Sequence, residues 1–184
     1  MAEDSARVAS RWGRAILLLL LAVWSWPFIT SPISANYPGS SFLHLVSLPF
    51  HEAGHILFSP FGAFMMSLGG SLTQVLVPLV CLIAFLKQDN RFAAAVTLWW
   101  AGENLIDLAP YIDDARSLQL VLLGGRTGME VEGHDWEAIL QTLGWLRFDH
   151  AIARTAHVLG AVLMIGALVW GMAVVRDRNA PDRS

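Results

Sequence analysis

The sequence predicts an all-α fold, a polytopic integral membrane helix bundle of four to five spans with a polar loop region between the last two. Three observations lead there. The 184-residue chain is 55% hydrophobic and 15% charged, against roughly 25% charged in an average soluble domain. From Ala15 to Leu86 the one charged side chain is Glu52, and a soluble surface needs more charge than that. The apolar residues also fall into blocks of about 15 to 25, near the ~20 needed to cross the hydrocarbon of a bilayer. A net charge of −3 offers no basic field for nucleic acid. Cys81 is the only cysteine, so no intrachain disulfide is expected and it reads as a small packed hydrophobe. The length suits a single membrane domain.

The elements follow in order. Residues 1–14 form a basic N-terminal segment carrying Arg7, Arg11 and Arg14. The membrane core, 15–110, starts with a stretch from Ala15 to about Ile29, whose Trp24 and Trp26 suit an interface. A signal peptide is the competing reading of that first stretch. The second runs from Ser41 to about Phe58 and holds His44, His51, Glu52 and His55. Met65 to Gly70 follows as a short piece expected to end at its glycine pair. Ser71 to Leu86 makes the third stretch, and Phe92 to about Ala109 the fourth, expected to stop at Pro110. The polar region 111–149 carries an acidic patch (Glu130, Glu132, Asp135, Glu137) and an amphipathic segment around Trp136 to Leu146. The last span, 150–175, precedes a tail, 176–184, with Arg176 and Arg178. The basic N-terminus, the Lys87/Arg91 turn and the basic tail all read as cytoplasmic. Four crossings satisfy all three if 41–70 is re-entrant, which membrane-depth backbone permits only beside protein or a water-filled cavity. The expected home is a bacterial inner membrane, with the N-terminus in the cytoplasm.

His51-Glu52-Ala53-Gly54-His55 is an HExxH sequence. On a helix, residues four apart share a face, so His51 and His55 can offer two imidazole nitrogens to one tetrahedral metal ion. Glu52 lies beside them, where it can take a proton from an attacking water. Inserting its carboxylate into an uncharged apolar run costs at least ~2.5 kcal/mol, so it is a functional candidate by default. The two histidines need a third ligand. Candidates are Glu103, Asp107, Asp113 and Asp114 on and after the fourth span, His134-Asp135 in the polar region, and His150 and His157 at the last span. His44, seven residues before His51, falls on nearly the same face and reads as a hydrogen-bonded helix residue or a channel residue.

These residues resemble the membrane-embedded zinc metallopeptidases of the site-2 protease type, peptidase family M50. HEAGH at 51–55 is followed by Leu68-Gly69-Gly70-Ser71 with Gln74 and Pro78, similar to the family's Gly-containing, amide-bearing segment. Asn104 through Pro110 to Asp113-Asp114 is similar to its later Asn/Pro/Asp segment, and Asp114-Ala115 to the Asp-Ala form of its shorter members. The likeness covers roughly residues 41 to 120. It implies an enzyme, a Zn²⁺-dependent endopeptidase acting on membrane-anchored peptides or proteins. His51, His55 and Asp114 would hold zinc, with His134 as the alternative third ligand. Glu52 would be the general base, and Gln74 and Asn104 would position the substrate. The other reading is a metal-binding membrane protein without hydrolysis, or a degenerate relative of such peptidases.

Overall fold

A computed structural model describes residues 2–177. Arg178 lies outside the described residues, and of Arg7 only the helical backbone is described. Among the described residues six α-helices follow one another: α1 Ala2–Thr30, α2 Phe42–Phe58, α3 Ala63–Lys87, α4 Arg91–Asp113, α5 Asp135–Thr142 and α6 Asp149–Arg176. The β pairing among the described residues is one isolated antiparallel bridge, Val121 with Thr127. The fold is therefore all-α, as the composition predicts.

Three helical stretches among the described residues are long and apolar enough to cross a membrane: Val8–Thr30, Ala63–Lys87 and Leu146–Arg176. That is fewer than the four or five stretches the sequence presents. The difference lies in α2 and α4. α2 has 17 residues, including three histidines and Glu52. α4 carries Glu103, Asp107 and Asp113 and buries most of its length among its neighbours. It is the central helix, spending its apolar side chains on protein contacts.

Local chemistry sets the boundaries. Ser41 caps α2 by accepting from the Leu43 N–H at 3.2 Å, and Asn90 caps α4 by accepting from the Ala93 N–H at 3.1 Å. α3 runs unbroken through Gly69-Gly70, and α4 runs through Pro110 to Asp113. Both differ from the expected breaks. The glycines are used for close packing, and Pro110 sits one turn from the helix end, where the bundle holds it buried.

Packing is of the membrane kind, with small residues inside and large apolar ones outside. A Cβ on Gly102 would sit 2.7 Å from the Gly160 carbonyl oxygen, so α4 and α6 meet backbone to backbone. Around that seam Phe28, Trp99, Ile106, Met164 and Ala167 form the core. Trp99 donates to Ser25 Oγ at 2.8 Å, and Ser25 donates to Leu21 O at 2.7 Å. The Trp99–Ser25 bond is interhelical, a kind that contributes about 0.6 kcal/mol within a bilayer. Leu19, Leu20 and Val23 of α1 and Val162, Ile165 and Val169 of α6 point outward and are exposed. The chain has the surface of a membrane protein.

Candidate metal centre

α2 presents His51 and His55 one turn apart, with ring centroids 4.9 Å from each other. They reach their positions because α3 comes unusually close. A Cβ on Gly70 would lie 2.6 Å from His51 Nε2 and 2.7 Å from His55 Cε1, so only glycine leaves room for the two rings. A Cβ on Gly54 would collide with the Gly69 carbonyl, so the two backbones touch at this level.

The outer nitrogen of each ring is committed. Asp107 accepts from Gln74 Nε2 at 2.7 Å. The amide oxygen of Gln74 is thereby turned to His51 Nδ1, 3.0 Å away, and must accept from it. His55 Nδ1 donates to the Met66 carbonyl at 2.8 Å. Both histidines therefore carry their proton on Nδ1 and present the Nε2 lone pair to a common point. A ligating histidine is oriented in this way in metal sites generally.

The third group at that point is Asp135, the first residue of α5. Its Oδ2 lies 3.4 Å from His51 Nε2 and 3.3 Å from His55 Nε2. The three donor atoms all lie within 4.8 Å of one another. A tetrahedral zinc ion with bonds of about 2.0–2.1 Å separates its ligand atoms by about 3.3–3.4 Å, the spacing of the two histidine–aspartate contacts here. His51 Nε2 is also within hydrogen-bond distance of that carboxylate oxygen, so Asp135 faces the histidine pair directly. The donor set fits a metal ion, and its residues line a cleft of about 510 Å³. Glu52, half-buried, lines the same cleft together with His44, Asp107 and Tyr111.

The two residues expected to compete for the third position do something else. Asp114 is buried and accepts from Ser117 Oγ at 2.5 Å, the Gln119 N–H at 2.9 Å and the Leu120 N–H at 2.8 Å. It organises the turn that leaves α4. His134 caps α5, its Nδ1 accepting from the Glu137 N–H at 3.2 Å, while its Nε2 faces Asp114 Oδ2 at 3.4 Å. Burial holds the His134 imidazole below its ordinary range against the pull of Asp114 and nearby acids, so it stays neutral and able to accept. Together they deliver their neighbour Asp135 to the histidine pair.

The remaining candidates are dispersed. Gln74 orients His51 from within the bundle. Asn104 is wholly buried and donates to Trp100 O at 3.1 Å, and the structure does not bring it to the histidines. Asp113 accepts from His150 Nδ1 at 2.6 Å at the surface, and His157 donates to Ile29 O at 3.1 Å. Glu103 is fully buried, and neither of its oxygens has a hydrogen-bond partner. His44 Nδ1 donates to both oxygens of Asp107, at 2.9 and 3.1 Å, so one chain of polar contacts runs from His44 through Asp107 and Gln74 to His51. Asp135 lacked a local mark in the sequence because it stands in an acidic patch 80 residues beyond His55. Its neighbour His134 was the more conspicuous ligand type. No protein-family model, curated protein or solved structure matches the chain.

Proposed function

We propose that the protein is a membrane-embedded zinc-dependent endopeptidase of the site-2 protease type, hydrolysing peptide bonds of membrane-anchored peptides or proteins. The observation that carries this reading is the convergence of His51 Nε2, His55 Nε2 and Asp135 Oδ2 beside Glu52, in one cleft. Two histidines and a carboxylate with one open position form a common catalytic zinc set. Asp135 takes the role that the family resemblance gave to Asp114.

When bound, zinc supplies Lewis acidity that brings the pKa of an attacking water to about 7. Glu52 would accept the proton of that water and return it to the leaving amine, which balances the hydrolysis. Gln74 and Met66 O would hold the two imidazoles in their ligating tautomer. The low-polarity wall of the cleft, including Leu48 and Leu108, would exclude bulk water and accept apolar substrate side chains. In this reading the helical hairpin around α2 is re-entrant, four segments cross the bilayer, and the N-terminus is cytoplasmic in a bacterial inner membrane.

The test is Glu52→Gln in purified, detergent-solubilised full chain. The expected result is about one zinc per chain in both proteins, with cleavage of a membrane-spanning peptide falling by about 10²–10⁴-fold in the variant. Equal cleavage by the two proteins sinks the mechanism. A zinc-loaded wild type that cleaves no membrane peptide favours the non-hydrolytic metal-binding protein.

A further inference from the structure

We propose that Tyr111 is a positioning residue for the metal, its hydroxyl forming a two-point latch that seats Asp135 against His51 and His55. The inference rests on reading those three side chains as a metal centre, and it does not depend on what reaction the centre performs.

Tyr111 lies in the last turn of α4, between the buried Pro110 and Ile112, and is therefore fixed to the rigid part of the bundle. Asp135 stands 24 residues later, at the end of a polar segment with little regular structure. The Tyr111 hydroxyl bridges that gap. Its oxygen accepts from the Asp135 N–H at 2.9 Å, and its proton is donated to Asp135 Oδ2 at 3.1 Å. A phenol has one donor and two acceptor lone pairs, so both bonds form at once. One atom thus holds the backbone and the carboxylate of the same residue, which restricts the backbone position and side-chain torsions of Asp135 together. The oxygen that receives the proton is also the one 3.3–3.4 Å from the two histidine nitrogens.

The neighbouring ties do not duplicate this contact. His134 is held by its cap, and Trp136 donates to Ser71 Oγ at 3.1 Å. Those bonds place the residues on either side of Asp135 and leave its carboxylate free to swing. The Tyr111 ring packs against His134 with centroids 4.4 Å apart. Phenylalanine would preserve that packing while removing the latch alone. Metal binding and docking of the segment between Tyr111 and Asp135 then become a single coupled event.

The experiment measures zinc affinity by competition with a chromophoric chelator for the full chain in detergent. Wild type, Tyr111→Phe, Asp135→Ala and the double variant are compared, with His51→Ala as the control for the centre itself. The expected result is a 10–100-fold weaker zinc affinity in Tyr111→Phe, the usual cost of losing an outer partner of a ligand. The double variant should bind no more weakly than Asp135→Ala, because Tyr111 acts through Asp135. The visible spectrum of Co²⁺-loaded Tyr111→Phe should move toward that of Asp135→Ala. Zinc affinity of Tyr111→Phe within twofold of wild type overturns the latch while leaving the metal centre intact. A further loss in the double variant equal to the loss in the single one also overturns it, by assigning Tyr111 a role independent of Asp135. Equal zinc binding by wild type and His51→Ala overturns the metal centre and the latch with it. Cleavage by Glu52→Gln bears on the peptidase reading alone.

Discussion

At Gln74 a single side-chain amide decides which nitrogen of His51 faces the cleft. Its NH₂ is taken by Asp107 and its oxygen by His51 Nδ1, so the ring cannot flip without breaking a buried pair of bonds. Gln74→Leu keeps the size of the side chain but loses both contacts. Zinc affinity should fall by about 10–100-fold, measured by chelator competition. Gly70 is a stricter case. Gly70→Ala gains about 1 kcal/mol of intrinsic helix propensity, yet its methyl would lie 2.6 Å from His51 Nε2. The variant should keep its helical circular dichroism and lose its metal, and retention of both would contradict the close approach. Glu103 makes the opposite prediction. Burying a carboxyl group without a partner is costly, and both of its oxygens lack one. Glu103→Gln should therefore leave zinc binding unchanged and hold or raise the thermal midpoint. At this scale the sequence was most legible where spacing is local. His51, Glu52 and His55 lie within five residues, and the period of a helix alone puts the two rings on one face.

Among the elements, α5 depends most on its ends. It has eight residues, too few to be stable by propensity alone. His134 supplies its N-cap, and Trp136 pins it to α3. His134→Ala should destabilise α5 by about 1 kcal/mol, the usual worth of a cap. His134→Asn should recover most of that, as read by hydrogen exchange of the Glu137 amide. Element limits were legible wherever a cap or an apolar run ended sharply, as at Ser41, Asn90 and Arg176. They were illegible at Gly69-Gly70 and Pro110, where residue chemistry that often breaks a helix serves tertiary packing. What sets Asp135 apart from the other candidates was hidden for a related reason. Asp114 is used by the N–H groups of Gln119 and Leu120 in the turn after α4, and His134, at a helix start, by the Glu137 N–H. Asp135 carries no local mark because its position follows from contacts that bridge Tyr111, Ser71 and the histidine pair.

In the molecule as a whole, the helical bundle and the polar region meet at His51, His55 and Asp135, a group that could hold a metal ion. His51 and His55 come from α2 and Asp135 from the start of α5. Removing the metal should therefore loosen that region before the bundle. Limited trypsin digestion after chelation should cut faster at the exposed Arg126, while the helical signal persists. Equal rates with and without zinc would separate the segment from the centre. The overall class was legible from the sequence because a bilayer imposes its demands on composition and length. The number of crossings was less so, since α4 mixes apolar residues with Glu103 and Asp107 and buries most of its length among its neighbours. One further consequence lies in the contact between Gly54 and Gly69. Helices whose main chains touch leave no gap for a visiting polypeptide, so α2 and α3 form a sealed wall. The Gln74–Asp107 bond ties α3 to α4 behind the histidines. Under the proposed peptidase reading, a peptide would reach Glu52 from the flank lined by residues 120–123 and 131–133. The route of approach is written in two glycines that carry no chemistry of their own.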